Sequence, residues 1–339
     1  MTRFVSRHLC GKTARCGLTL IEVLVSTAIV SMGMVLVISG VMTARSTARR
    51  LECLNHVRQL AMAEINYEQG HSSVLPLEDG SVLRNWVFHL LPHLDQAALQ
   101  RQLVAQATGS GGSGSGGPDS GGSDSGSAGG GLPHLAGLTC PDDEFHFQVP
   151  AGLSYVVNAG YMRDGYWGAV GDTDHSLEAY ASASPGWSEQ VTQSTGVCFR
   201  SSRGRTRLMP QFFDGRTQTI LFTENIQAGR YDSRDTGDIG FGVDCTYPPF
   251  PDGPPPPDIL ALGAMLFCSS NGTINENVDQ AVPGQCPRPS SHHKQGVNAA
   301  FADGSGRFLN EKMNDMVYFR LVSSSGSHYG QRLVSDSSY

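Results

Sequence analysis

Gly17-Leu18-Thr19-Leu20-Ile21-Glu22-Val23-Leu24-Val25, continuing to Val41 without a second charge, is the stretch on which the fold turns. The 24 residues from Leu18 to Val41 would rise about 36 Å as a helix at ~1.5 Å each, enough for a hydrocarbon core of about 30 Å. A secretory signal has a shorter apolar region, about 7–15 residues, closed by an A-x-A-like site. Nothing of that kind closes this run, so it reads as a membrane anchor. No other stretch in the 339 residues is long and apolar enough to cross a bilayer, which excludes a polytopic membrane protein.

Working outward, residues 1–17 form a leader that holds Arg3, Arg7, Lys12 and Arg15 and no acid. Arg45, Arg49, Arg50 and Arg58 follow the span, so the positive-inside rule alone leaves the orientation nearly tied. Glu22 is open to two readings. It either sits at the headgroup boundary at little cost, or it has a partner or a task, because a carboxylate inside the span costs on the order of 2–3 kcal/mol. The whole chain carries a formal charge of -7, which argues against general affinity for nucleic acid. Its 14 Phe, 10 Tyr and 3 Trp argue against a wholly disordered chain.

A short basic leader, then Gly17 through Glu22, then an apolar helix together resemble the class III signal of type IV pilins and type II secretion pseudopilins. The resemblance implies that a membrane-embedded prepilin peptidase cuts after Gly17 and that the new terminus, Leu18, is N-methylated. Glu22 then holds the fifth mature position, where the family's glutamate neutralises the terminal amine of a neighbouring subunit. The physics agrees, since an amine and a carboxylate attract strongly in hydrocarbon only when desolvated together, which favours one register. The resemblance also settles orientation. It implies a single-pass inner-membrane protein with its head in the periplasm or extracytoplasmic space, reaching a filament or the cell surface if assembled.

Of eight cysteines, Cys10 and Cys16 lie in the leader. The remaining Cys53, Cys140, Cys198, Cys245, Cys268 and Cys286 are even in number and form no C-x-x-C pair. Disulfides in an oxidising compartment therefore fit better than zinc or thioredoxin chemistry, with connectivity open. Past the span, Leu54, Val57, Ala61 and Ile65 make an apolar stripe on an amphipathic stem. Glu52, Arg58 and Glu64 stand on its polar side, and Gly70 and then Pro76 end it. Residues 82–107 read as one or two short helices, with Pro92 as a break. His89 and His93 there are read as packing or surface residues, because Pro92 spoils a regular ligand-bearing face.

Gly109 to Gly131 contains 12 glycines and 7 serines in 23 residues and reads as a flexible insertion, not a phosphate cradle. Beyond about residue 135 the chain looks β-rich. The segments Leu153–Val157, Thr219–Phe222 and Val297–Leu309 are short β-branched or aromatic runs. The seven prolines between Tyr247 and Pro257 read as an exposed polyproline-like spacer. Asp303-Gly304 signals a two-residue type I′ hairpin, which would set Ala299 opposite Phe308 and Phe301 opposite Gly306.

His293, Asp303 and Gly304 form a His-x9-Asp-Gly element that looks like the H-x9-DG element of the DUF1559 family, prepilin-like proteins abundant in Planctomycetes. Arg49-Arg50, Cys53, Asn66-Tyr67, Trp86 with Leu90-Leu91-Pro92, Cys140-Pro141, Tyr155 with Asn158, and Thr223-Glu224-Asn225 agree with the family in order. Departures are Ile65 and Glu68, where histidines commonly flank Asn-Tyr, Asp142 where serine is usual, and the Gly/Ser insertion. Ser291, His292, His293 and Asp303 contain triad residue types, but a triad is defined by geometry and no nucleophile elbow surrounds Ser291. Calcium is the one cofactor to weigh, because the resembling major pseudopilins bind it in the head. Asp142, Asp143 and Asp303 offer hard oxygen donors for it. A hairpin Asp-Gly needs no metal, and none is assigned.

The expected fold is α+β and pilin-like, a long N-terminal helix packed on a mainly antiparallel β head with long loops. The divisions are a leader (1–17), a transmembrane helix (18–41), a stem (42–70), a helical part of the head (71–108), the insertion (109–131) and the β-rich head (132–339). The expected function is that of a non-enzymatic pilin- or pseudopilin-like subunit. Its expected partners are other pilin-like subunits, prepilin peptidase and secretion or pilus assembly machinery, with no nucleic acid. The alternatives are a stand-alone membrane-tethered binding protein and a surface hydrolase using His293 and Asp303.

Overall fold

A computed structural model describes residues 19–79, 85–109, 132–163, 195–199, 212–245, 274–275, 287–329 and 331–334. The leader with Gly17 and Leu18, the Gly/Ser stretch from 110, the proline-rich stretch, Cys268 and Cys286 lie outside the described residues. The chain divides into two units, Met1–Ala48 and Arg49–Tyr339.

The first unit holds the start of helix α1, Leu20–His71. Thr19 and Glu22 form a reciprocal cap at its N-terminus. The Thr19 backbone N–H and hydroxyl donate to Glu22 Oε2 at 2.8 and 2.9 Å, and the Glu22 N–H reaches back to Thr19. This box satisfies donors that a helix start otherwise leaves open. Apolar side chains of this stretch are exposed, Leu20 at 82% and Met32 at 75%, and α1 is long and apolar enough to cross a membrane.

In the second unit α1 continues as the stem. Its buried residues are Cys53, Val57, Leu60, Ala61, Ala63, Glu64, Tyr67 and Glu68. Leu54 and Ile65 are only partly covered. The packed face is thus turned by about one residue from the expected stripe, and Glu64, expected on the polar side, is 2% exposed. The reason lies in tertiary contacts, since Arg216 enters from the head to pair with Glu68 on the same face. The helix stops where Ser72 takes φ +53° and its N–H bonds Glu68 O at 2.8 Å, so serine and not Gly70 makes the left-handed exit.

The head follows the expected class. Short helices α2 (Trp86–Leu90) and α3 (Ala97–Gly109) flank a 3-10 turn that contains Pro92. Five strands form one sheet: β1 (Tyr155–Arg163), β2 (Ile220–Glu224), β3 (Gly240–Cys245), β4 (Gly296–Phe301) and β5 (Gly306–Asn310). Their order is β3-β1-β2-β4-β5, antiparallel except for the parallel β1–β3 pair. Strand β3, Gly-Phe-Gly-Val-Asp-Cys, carries too few β-branched residues to signal itself.

Helix α4 (Thr236–Ile239) leads into β3, and α5 (Asp315–Val322), capped by the Asn314 side chain on Met316 N–H, covers the sheet. The α5 side chain Tyr318 donates to Gly242 O at 3.0 Å, and Tyr161 of β1 donates to Phe319 O at 2.7 Å. Trp86 packs edge-on against Phe222 at 5.4 Å and donates its indole N–H to Ile239 O, so its one polar atom is satisfied inside the core.

The hairpin differs from expectation. Phe301 N–H bonds Ser305 O and Gly304 N–H bonds Phe301 O, while Gly304 sits at φ +83° and Asp303 is not left-handed. The loop therefore has three residues with glycine in the left-handed position, not a two-residue type I′ turn, which needs positive φ at both central residues. The register moves by one as a result: Asn298 opposes Phe308 and Ala299 opposes Arg307.

Candidate functional site

The His-x9-Asp-Gly element has two ends with different work. At the far end, Gly304 lies against the stem, where a Cβ would fall 2.8 Å from Met62 Sδ and 3.3 Å from Ile65 Cδ1. Asp303 accepts from the backbone N–H and hydroxyl of Ser305 at 2.9 and 2.7 Å, closing the turn on itself. Strand β5 then returns along the helix. A Cβ at Gly306 would meet Arg58, and the Arg50 guanidinium sits 4.6 Å over the Phe308 ring. On β4, Asn298 Nδ2 donates to Arg50 O. Strand β4 ends at Phe301 and the Ala302–Gly304 turn completes the run, so the segment from Asn298 to Gly304 reaches from the Arg50 turn of the stem to its Met62–Ile65 turn. The motif thus lays one strand and its turn along the stem.

We expect Gly304→Ala to cost on the order of 1–2 kcal/mol for the left-handed backbone alone, with more for moving Met62. Gly304→Asn, which tolerates that backbone, should lose less. Thermal unfolding of the full chain in detergent checks both.

At the near end, His293 is 5% exposed and stands among charged and sulfur groups. Its Nε2 lies 3.2 Å from Glu224 Oε1 and 3.5 Å from Cys140 Sγ, and its Nδ1 lies 3.1 Å from Asp142 Oδ2. Glu224, at the end of β2, is 1% exposed and accepts from the Asn298 backbone N–H and Nδ2, both at 2.8 Å. Cys140 is joined to Cys53 of α1 by a disulfide. Burial pulls the His293 imidazole toward neutrality, but the hydrogen bond and charge of Glu224 and the charge of Asp142 outweigh it, so its pKa is raised. Among the described residues, Cys53, Cys140, Glu224 and His293 are the one set of candidate metal donors gathered together, all within 4.8 Å of one another.

The other candidates fall elsewhere. Ser291 Oγ donates to Gly296 O at 2.7 Å and accepts from the His293 backbone, while the imidazole faces Glu224 and Asp142. Ser291, His293 and Asp303 therefore form no triad. Asp142 is engaged by Arg49 and His293, and Asp143 by Ser154, His146 and backbone N–H groups. These carboxylates face cations and N–H donors, not the six to eight oxygens that calcium requires, so the set does not fit calcium. His89 and His93 lie edge-on to the Tyr67 ring, which stacks on His71 at 4.1 Å. Cys198 is buried, and the Cys245 backbone lies in β3.

Sequence reading missed the role of Glu224. Its one local signal is a lone charge closing the apolar run Ile220–Phe222. It also missed the Glu64–Glu68–Arg216 group, in which Arg216 forks onto both oxygens of Glu68. No local pattern marks it, because 148 residues separate Glu68 from Arg216.

Residues 42–316 match the family described as "Protein of unknown function (DUF1559)". The chain belongs to the DUF1559 family. Residues 12–38 match the prokaryotic N-terminal methylation motif. No curated protein and no solved structure matches the chain. In this DUF1559 protein Arg216 supplies the charge that makes the buried Glu68 carboxylate tenable.

Proposed function

We propose that the chain is the precursor of a pilin- or pseudopilin-like structural subunit. It is inserted with its leader in the cytoplasm, cut after Gly17, methylated on Leu18, and packed through α1 against other copies or other pilin-like subunits in a secretion-type or pilus-type filament. The observation that carries this reading is the methylation motif running straight into one helix whose first turns carry exposed apolar side chains, with Glu22 as their lone charge. The disulfide between stem and head supports an extracytoplasmic head, since such bonds persist in oxidising compartments.

Glu22 is held by Thr19 of its own chain, which keeps a carboxylate solvated by hydrogen bonds at the helix start. Assembly exchanges part of that cap for the terminal amine of a neighbour. In hydrocarbon this exchange is favourable only if both charges lose water together.

The mass and N-terminal sequence of the mature protein from membranes test the processing step. The expected terminus is methylated Leu18, and an intact Met1 or a cut well after Val41 would sink the proposal. Glu22→Ala tests assembly. The variant should be inserted and clipped yet recovered as monomer, whereas crosslinked oligomers at the wild-type level would remove the ion pair from the argument.

A further inference from the structure

The group around His293 holds more chemistry than a disulfide needs. A covalent staple between a helix and a loop is complete with two sulfurs, and buried ionic groups beside it carry a desolvation cost. Here the staple is packed against an imidazole and a carboxylate that are both almost wholly buried, and each of those is itself oriented by a further group. Asp142 Oδ2 holds His293 Nδ1, leaving Nε2 aimed at Glu224 Oε1 and Cys140 Sγ. Asn298 holds Glu224 through two N–H donors. A carboxylate on the far nitrogen of a histidine, and hydrogen bonds on a ligating carboxylate, are the outer contacts that metal-binding residues usually have.

We propose that the Cys53–Cys140 disulfide and the zinc complex of its reduced form are two states of one site, in which Cys53 Sγ, Cys140 Sγ, His293 Nε2 and Glu224 Oε1 bind the ion. A dithiol reductant opens the site. It gives up two electrons and two protons and closes to its own disulfide, while the Cys53–Cys140 bond breaks into two thiols. Zinc then displaces both thiol protons and the proton on Nε2, while the Nδ1 proton stays on the imidazole and is donated to Asp142. A tetrahedral site with Zn–S near 2.3 Å and Zn–N or Zn–O near 2.0 Å has ligand atoms ~3.3–3.8 Å apart. The four donors already lie within 4.8 Å of one another, so side-chain adjustments on the order of 1 Å suffice. Two thiolates and an imidazole select zinc over calcium. In either state the stem helix stays clipped to the Cys140 loop.

The test uses the full chain in detergent, reduced with a phosphine under argon and titrated with Co(II), then with Zn(II) as competitor. The reduced protein should take up one Co(II) per chain with a thiolate-to-cobalt charge-transfer band, Zn(II) should bleach that band, and the oxidised protein should give none. Cys53→Ser should abolish the band, which separates this pair from the other six cysteines. Glu224→Gln and His293→Ala should weaken binding at least tenfold. Asp142→Asn, a milder change on a partly exposed side chain, should weaken it ~10–100-fold while leaving the oxidised protein's melting temperature within a few degrees. A reduced protein without the band would overturn the proposal. So would a band whose affinity is unmoved by Glu224→Gln and Asp142→Asn.

Discussion

Arg216→Ala is expected to destabilise the Arg49–Tyr339 unit by about 3 kcal/mol, the low end for breaking a buried ion pair because the Arg216 side chain keeps 31% of its exposure. The guanidinium binds both oxygens of Glu68, whose side chain is 1% exposed, and rests 4.7 Å over the Phe212 ring. Its own pKa is raised, first by the hydrogen bonds it donates to Glu68. Without it, Glu68 loses the counter-charge that Arg216 supplies, one helical turn from the buried Glu64. Most of the loss is therefore the cost of the stranded carboxylate and not the value of the pair. The control is Glu68→Gln, in whose background Arg216→Ala should cost well under half as much. Thermal melts of the four proteins in one detergent complete the cycle. Equal losses in both backgrounds would show that Arg216 acts through packing on Phe212 alone.

Glu64→Gln should do the opposite, and its size should depend on pH. Burial first, then the charge of Glu68, push the Glu64 carboxyl up to about 8 against an ordinary 4.5, with Arg216 and the Leu75 backbone pulling the other way. Its Oε1 has no hydrogen-bond partner among the described residues. The native state therefore keeps this group protonated while the unfolded chain ionises it. The contribution to stability is complete below the unfolded pKa near 4.5 and is lost as pH rises through the native pKa near 8. A glutamine has the same shape and no proton to lose. The variant should match wild type near pH 4.5, exceed it by about 3 kcal/mol at pH 7 and level off above pH 8. Denaturant unfolding at four or five pH values gives the difference curve, and a difference that does not change with pH would refute the assignment.

What could be read from sequence was whatever is written locally. The apolar run up to Val41, Glu22 in its first turns and the stem beyond depend on contiguous residues, and α1 runs through them from Leu20 to His71. His293 and Asp303-Gly304 are also close in sequence, so their hairpin was visible. Its register was not, because a shift of one residue hangs on whether Asp303 or Gly304 takes the left-handed backbone. The buried face of the stem was misplaced for a different reason. Glu64 and Glu68 are polar by type, and their burial depends on the head packed over that side, with Arg216 paired to Glu68 from far along the chain. The same holds for the site at His293. Cys53 was one of six candidates for pairing, and the convergence of α1, the Cys140 loop, β2 and the approach to β4 is a property of the folded chain.

Contacts at both ends, Asn298 on Arg50 and Gly304 on Met62 and Ile65, make β4 with its turn and the stem a matched pair of rulers. One residue inserted into β4 would carry the turn ~3.3 Å along the helix and reverse which face each following side chain presents. The helix could restore alignment only with about two added residues, which would swing its own buried face by roughly 200°. Neither change has a local remedy. Length variation in relatives should therefore be nearly absent between His293 and Gly304 and between Arg50 and Ile65, and should collect where strand and helix do not have to keep step.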